Sequence, residues 1–333
     1  MNKQIVLLVV IFAFALIVSL LYVQNQQQTK TATLPSLSQQ KEAVIPRTIL
    51  VPTNYPLPQQ KPTITTQGLV PLLMPDKVLV YKTLSQPLAE KDSKSIAQLF
   101  SLTPSPTIIT SPRGSYFTWG DTKSFSLSIH SQNRSLYFQN FIVKEGEQLN
   151  EDAIKQKSLS LSQKLLTEPK VSIGESTITY LKNQPPTSYP VLSKNDANAV
   201  MVSCEYLLDG KPLYLVPILS PPISFVGKGA DVTSGSISFP PQILSQRFVS
   251  TVSPETAIQH LLDGKGSLVR SDEEFLGETS VEVLITNAVV STMKLIYLYN
   301  KTSEAILPVY LFAGIGRGGA SQTKVSILVS ATN

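Results

Sequence analysis

From residue 76 onward, apolar and polar residues mostly alternate in short runs, and this pattern predicts β-strands. Ser124–His130 reads SFSLSIH, which puts Phe125, Leu127 and Ile129 on one face and serines on the other. Arg134–Val143 continues as RSLYFQNFIV, and Glu175–Leu181 alternates Ile178 and Tyr180 with threonines. Val200–Leu208 meets Lys211–Val216 across Asp209-Gly210, a pair suited to a type I′ hairpin because both residues tolerate positive φ. Near the end, Val289–Tyr299 pairs with Leu307–Phe312 across NKTSEAI, and Lys324–Ser330 follows the loop GIGRGG.

Three stretches carry a helical period instead. In the first, Leu88 to Leu102, Leu88, Ile96, Leu99 and Phe100 share a face. A second helix begins at Asn150, a good N-cap, with Glu151 and Asp152 at the positive end of the dipole and a stripe of Ala153, Ile154, Leu161 and Leu165. The third has Ser253 as N-cap, Pro254 at the first helical position, Ala257, Ile258, Leu261 and Leu262 along one side, and Gly264 at its end. Helix followed by strands thus recurs three times. The expectation is an α+β fold of antiparallel sheets with helices packed on one face, in two modules at 76–195 and 196–333.

Before residue 76 the chain is different material. Residues 5–23, IVLLVVIFAFALIVSLLYV, contain no charge, and as a helix they would extend about 28 Å, close to the hydrocarbon thickness of a bilayer. Lys3 precedes the run and the next charge is Lys30, so the sequence predicts an uncleaved single-pass transmembrane helix. Residues 1–4 would lie in the cytoplasm and the bulk of the chain outside the cytoplasmic membrane. A cleaved signal peptide fits less well, because no A-x-A-like site follows. Residues 24–75 hold eight prolines and one acid, Glu42, and read as a Pro/Gln-rich linker.

Composition narrows the function. Of 333 residues 15% are charged, and the net charge is +5 with no basic run or aromatic interleaving, which argues against nucleic acid as a partner. One cysteine excludes an intrachain disulfide framework, and two histidines leave little for a histidine-rich metal site.

The segments AIQHLLDGKG, KLIYLYN, ILPVYLFAG and KVSILVSA, with an echo in VSCEYLLDGKPLYLV, resemble exported bacterial proteins of the YycH/YycI and PepSY-like kind. That resemblance implies a single-pass anchor and outer modules of helix plus antiparallel sheet. It also implies, for some members, a role as accessory regulator of an envelope sensor kinase.

Candidate chemistry is sparse. Cys204 lies in the alternating run Val200, Val202, Cys204, Tyr206, Leu208, where apolar neighbours favour a buried thiol over a nucleophile. His130 ends a strand, and His260 lies beside Asp263 on a helix without metal-ligand spacing. GIGRGG at 314–319 leads into a strand, not a helix, so it reads as a flexible hairpin tip carrying Arg317. Asp272, Glu273 and Glu274 lack the alternate spacing of a calcium loop, and Ser291 and Lys294 sit at S-x-x-K spacing in a strand, not on a helical turn. No catalytic, cofactor-binding or metal residue is assigned.

The function expected is that of a non-enzymatic protein that binds a protein or cell-envelope polymer, most simply by strand addition. Asp209, Gly210 and Arg317 are the candidate contact residues. An envelope hydrolase or transferase with an unfamiliar site, or an adhesive surface protein, are the alternatives.

Overall fold

A computed structural model describes residues 62–69 and 75–332, apart from 104, 113, 122, 143–147, 185–186, 216–219, 271–284 and 319–320. Every described residue belongs to one compact unit.

Strands β1 (Thr63–Thr66) and β2 (Lys77–Leu84) precede helix α1 (Glu90–Gln98). A meander of β3 (Thr107–Ser111), β4 (Gly114–Gly120), β5 (Phe125–His130) and β6 (Ser135–Asn140) leads to α2 (Glu151–Leu165). Next come β7 (Val171–Gln184), β8 (Thr187–Pro190), β9 (Ala199–Leu208), β10 (Lys211–Tyr214), β11 (Ile223–Lys228), β12 (Asp231–Ser238) and β13 (Gln242–Ser250). Helix α3 (Pro254–Leu262) introduces β14 (Ser267–Arg270), β15 (Asn287–Asn300), β16 (Ala305–Gly318) and β17 (Ser321–Ser330).

All seventeen strands among the described residues join one mixed sheet. One region of it is antiparallel throughout, in the order β8-β7-β9-β11-β12-β6-β5-β4-β3. Another is built on the long hairpin β15–β16, extended by β17 and β14 and flanked by the ribbon β2–β13. Strand β10 couples the two: it is antiparallel to β9 and parallel to β15, and β1 is also parallel to β15. Strands from 76–195 and 196–333 interleave, since β9, β11 and β12 lie between β7 and β6.

This corrects the expected architecture. The fold is a large mixed β-sheet, with only three α-helices among the described residues, and is not a helix-packed α+β arrangement. The reason is length: α1 and α3 have nine residues each and bury three side chains apiece, whereas β15 and β16 have fourteen residues each. Helix starts were nonetheless legible. Asn150 accepts a hydrogen bond from Ala153 N–H at 3.1 Å, and Ser253 Oγ accepts one from Thr256 N–H at 3.2 Å, each satisfying an orphan donor of the first turn.

Packing places α2 differently from its expected stripe. Ile154, Ser158, Ser162 and Leu165 are buried, while Ala153 and Leu161 lie at the margin. Small serines let the helix approach the sheet closely, and Ile154 lies over Gly227, where an added Cβ would fall 2.4 Å from its Cγ2. The core beneath gathers Phe138, Phe225, Val202, Cys204 and Tyr206, and Cys204 is fully buried.

The membrane anchor is also corrected. Among the described residues no helix is long and apolar enough to cross a membrane; the longest, α2, has 15 residues, against about 20 for a spanning helix. Residues 5–23, on which the anchor rested, lie outside the described residues. The single-pass topology and the cytoplasmic-membrane location lose their support.

Candidate binding face

Alternation along each strand gives the nine-stranded antiparallel region a buried face and a polar one. On β5, Leu127 and Ile129 are buried and Ser126, Ser128 and His130 take the other side. On β6, Leu136 and Phe138 point inward and Ser135, Tyr137 and Gln139 outward. On β12, Gly235 and Ile237 are buried and Ser234, Ser236 and Ser238 face out. These nine outward side chains, six of them serine, include no carboxylate, lysine or arginine. Helices α1 and α2 pack into the core on the opposite face.

Register aligns these side chains into transverse rows. Ser128 is opposite Tyr137, Tyr137 opposite Ser236, and Ser236 opposite Ser224 of β11. The row continues to Ser203 of β9 and Thr177 of β7 at one end, and to Thr118 of β4 and Thr107 of β3 at the other. Every one of its eight members carries a hydroxyl. Ser203 is buried; Thr107, Tyr137, Thr177 and Ser236 are exposed, and the other three are half-buried.

An open depression of about 320 Å³ lies where β4, β5, β6 and β12 run side by side. Ser128, Ser135, Tyr137, Ser236 and Ser238 line it, with Tyr116, His130 and Asn133 at one end. The loop from β5 to β6 sets that end. Arg134 takes a left-handed φ of 50°, and its guanidinium donates to Gln86 O at 2.8 Å and Pro240 O at 3.1 Å. Burial pulls the Arg134 pKa below its ordinary value.

His130 is buried, with the Tyr116 ring edge-on at 4.3 Å. The Asn133 N–H donates to His130 Nδ1 at 2.9 Å, which fixes the ring proton on Nε2. That Nε2–H has no partner among the described residues. An unsatisfied buried donor costs about 1–3 kcal/mol, so a ligand oxygen reaching it would recover some of that cost. With Nδ1 already accepting, Nε2 is the ring atom left to pair with a ligand. Ser128, Ser135, Ser236 and Ser238 make no side-chain hydrogen bond among the described residues, so their hydroxyls are unspent.

The candidate contact residues lie elsewhere. Asp209 and Gly210 form the β9–β10 turn with φ of 50° and 71°, the positive-φ pair expected there. The Asp209 carboxylate accepts a hydrogen bond from the Tyr81 phenol, and Tyr81 meets Tyr297 edge-on at 5.5 Å, so Asp209 acts as a joint between β2, β9 and β15. Arg317 is exposed on β16 opposite Asn287, ten residues along β15 from Tyr297, or roughly 30 Å away. The structure therefore does not bring Asp209 and Gly210 together with Arg317, and none of the three lines the depression. GIGRG proves to be strand through Gly318, not a loop tip. Asp272, Glu273 and Glu274 lie outside the described residues, and no group of three or more His, Cys, Asp or Glu among the described residues is placed to hold a metal. Sequence reasoning passed over His130 and the serines as a strand end and a solvent face; serines at alternate positions of several strands were the available signal.

No protein-family model matches the chain, and no curated protein matches it. The resemblance to YycH/YycI-like and PepSY-like proteins gains nothing from these comparisons. Among solved structures the chain is similar to an uncharacterized protein from Eubacterium rectale, with a TM-score of 0.50 and 9% identity, covering 81% of this chain and 89% of that one. At that identity the likeness concerns the fold alone.

Proposed function

We propose that this chain is a non-catalytic binding protein whose hydroxyl-lined sheet face recognises an uncharged, hydroxyl-rich ligand of the glycan class. The observation that carries this reading is the set of nine adjacent side chains on the polar face of β5, β6 and β12, none a carboxylate, lysine or arginine, one of which, His130, is buried with its Nε2 unpaired among the described residues. A polyol offers donors and acceptors at every carbon and brings no charge needing a counter-ion, which is what such a face can satisfy. Half-exposed Tyr137 adds a flat apolar ring against which a sugar can pack.

Affinity electrophoresis through gels containing neutral polysaccharides is the direct test. Retardation of the wild type, lost in Ser236→Arg at unchanged melting temperature, is the expected result. Free migration through every neutral polymer, or turnover of a glycan by the purified protein, would count against the reading. A second reading is protein binding by strand addition at β13, which pairs only with β2 among the described strands and exposes Leu244 and Phe248. Binding of an extended peptide that survives Ser236→Arg and disappears in Phe248→Lys would favour it.

A further inference from the structure

Resting on that reading, we infer that the ligand is a linear, neutral β-1,4-linked glycan lying across the strands along the hydroxyl row, and not a small sugar confined to the depression. The depression needs only Ser128, Tyr137 and Ser236 of that row. The hydroxyl pattern goes well beyond it, over strands that reach the row from positions 107 to 236 of the chain. The neighbouring rows do not share this property. One runs through Ser126, Gln139 and Ser234 but then meets Val226 and Met201. The other, through Ser238, Ser135, His130 and Tyr116, ends on Ile109. Only the central row of the three carries a hydroxyl on each strand it crosses; those of Thr118 and Tyr137 already donate, to Thr107 O and Gln139 Oε1, and keep their acceptor capacity.

Spacing favours a chain over a cluster of separate sites. Adjacent strands are ~4.8 Å apart, close to the advance per ring of an extended β-1,4-linked pyranose chain, so each ring would lie over about one strand, with alternate rings presenting the same edge to the row. From Ser224 to Thr107 the row crosses six strands without a buried member, a length of ~24 Å, enough for about five or six rings. Beyond Ser224 the buried Ser203 interrupts access, so Thr177 lies outside the run. Row and flanking rows carry no lysine or arginine, so an anionic polymer finds no counter-charge there.

Calorimetric titration of the whole protein with cello-oligosaccharides of two to six units tests this. Affinity should rise at least tenfold from two units to six. Ser224→Ala combined with Thr107→Val should weaken the six-unit ligand three- to tenfold and leave the two-unit ligand unchanged, with Thr177→Val neutral for both. Equal affinity at every length, or flank variants that change nothing, refutes the extended mode while leaving a depression-sized glycan site in place. Absence of binding at all lengths, together with free migration through neutral polysaccharide gels, overturns both.

Discussion

Breaking the Tyr81–Asp209 contact should weaken the junction of β2, β9 and β15. Tyr81 on β2 is fully buried, its ring lies edge-on to Tyr297 of β15, and its phenol donates to a carboxylate on the β9–β10 turn. A hydrogen bond to a charged acceptor contributes about 1.5–3 kcal/mol, and removing the acceptor leaves a buried hydroxyl unpaired at about 1–3 kcal/mol. Asp209→Asn keeps an oxygen and a side chain that tolerates the φ of 50°, so it should cost less than about 1 kcal/mol. Asp209→Gly removes the acceptor without straining the turn and should cost about 1–3 kcal/mol. Asp209→Ala should cost about 1 kcal/mol more than Gly, because alanine resists the left-handed region. Combining Tyr81→Phe with Asp209→Gly should show a coupling energy of at least about 1 kcal/mol, since either change already destroys the bond. Urea unfolding at pH 7, followed by fluorescence of Trp119 and by far-UV circular dichroism, measures each term; Trp119 is the single tryptophan and is buried. Coupling below about 0.5 kcal/mol, or an Asn variant as damaged as the Gly variant, would refute the assignment of Asp209 as a structural joint.

Other consequences can be checked in the same protein. Burial raises the phenol pKa of Tyr81, Tyr206 and Tyr214 well above the ordinary value and pushes Tyr297 and Tyr310 up to about 12. The unfolded chain therefore loses protons first as pH passes 10, and stability should fall above that pH by up to about 1.4 kcal/mol per unit for each tyrosine; a flat urea midpoint from pH 9 to 11 would contradict this. Gly227→Ala should destabilise by about 1–3 kcal/mol by overpacking against Ile154, and the double variant with Ile154→Ala should cost less than the two single changes together, because the new methyl enters the vacated space; strict additivity in denaturation would argue against that contact. Cys204 is buried and its pKa raised by desolvation, so a thiol reagent at pH 8 should label the native protein far more slowly than the protein in denaturant; equal rates would show the strand to be open.

What the sequence disclosed follows the range of the forces involved. The Asp209-Gly210 turn and the caps at Asn150 and Ser253 were legible because each is decided by φ or by a hydrogen bond within four residues. The continuity of the sheet was not, because β10 joins β15 through only two register pairs, Leu213 with Tyr297 and Tyr214 with Leu298, more than eighty residues apart. Nor was the end of β16, whose glycines read as a loop. Gly314 belongs to the ladder because the bulge on β15 brings Val289 O to within 2.0 Å of where a Cβ would sit, leaving no room for a side chain.

The binding face combines both kinds of information. Each strand's alternation announces that its serines point away from the core, and that much is local. Which serine faces which is set by pairings such as β12 with β6, where Ser236 meets Tyr137 across about a hundred residues, and no window of sequence contains it. The inner face then gives the row its stiffness. An added Cβ at Gly235 would fall 2.3 Å from Phe225 and 2.7 Å from Phe138, so two aromatic rings close directly under the backbone that presents Ser236. Serine has one rotatable side-chain bond to the hydroxyl and loses little entropy on engagement, and a locked backbone loses less still. A hydroxyl row on such a support can hold a weakly attracting, uncharged polymer through many modest hydrogen bonds, where the same residues on a mobile loop would spend most of that free energy on becoming ordered.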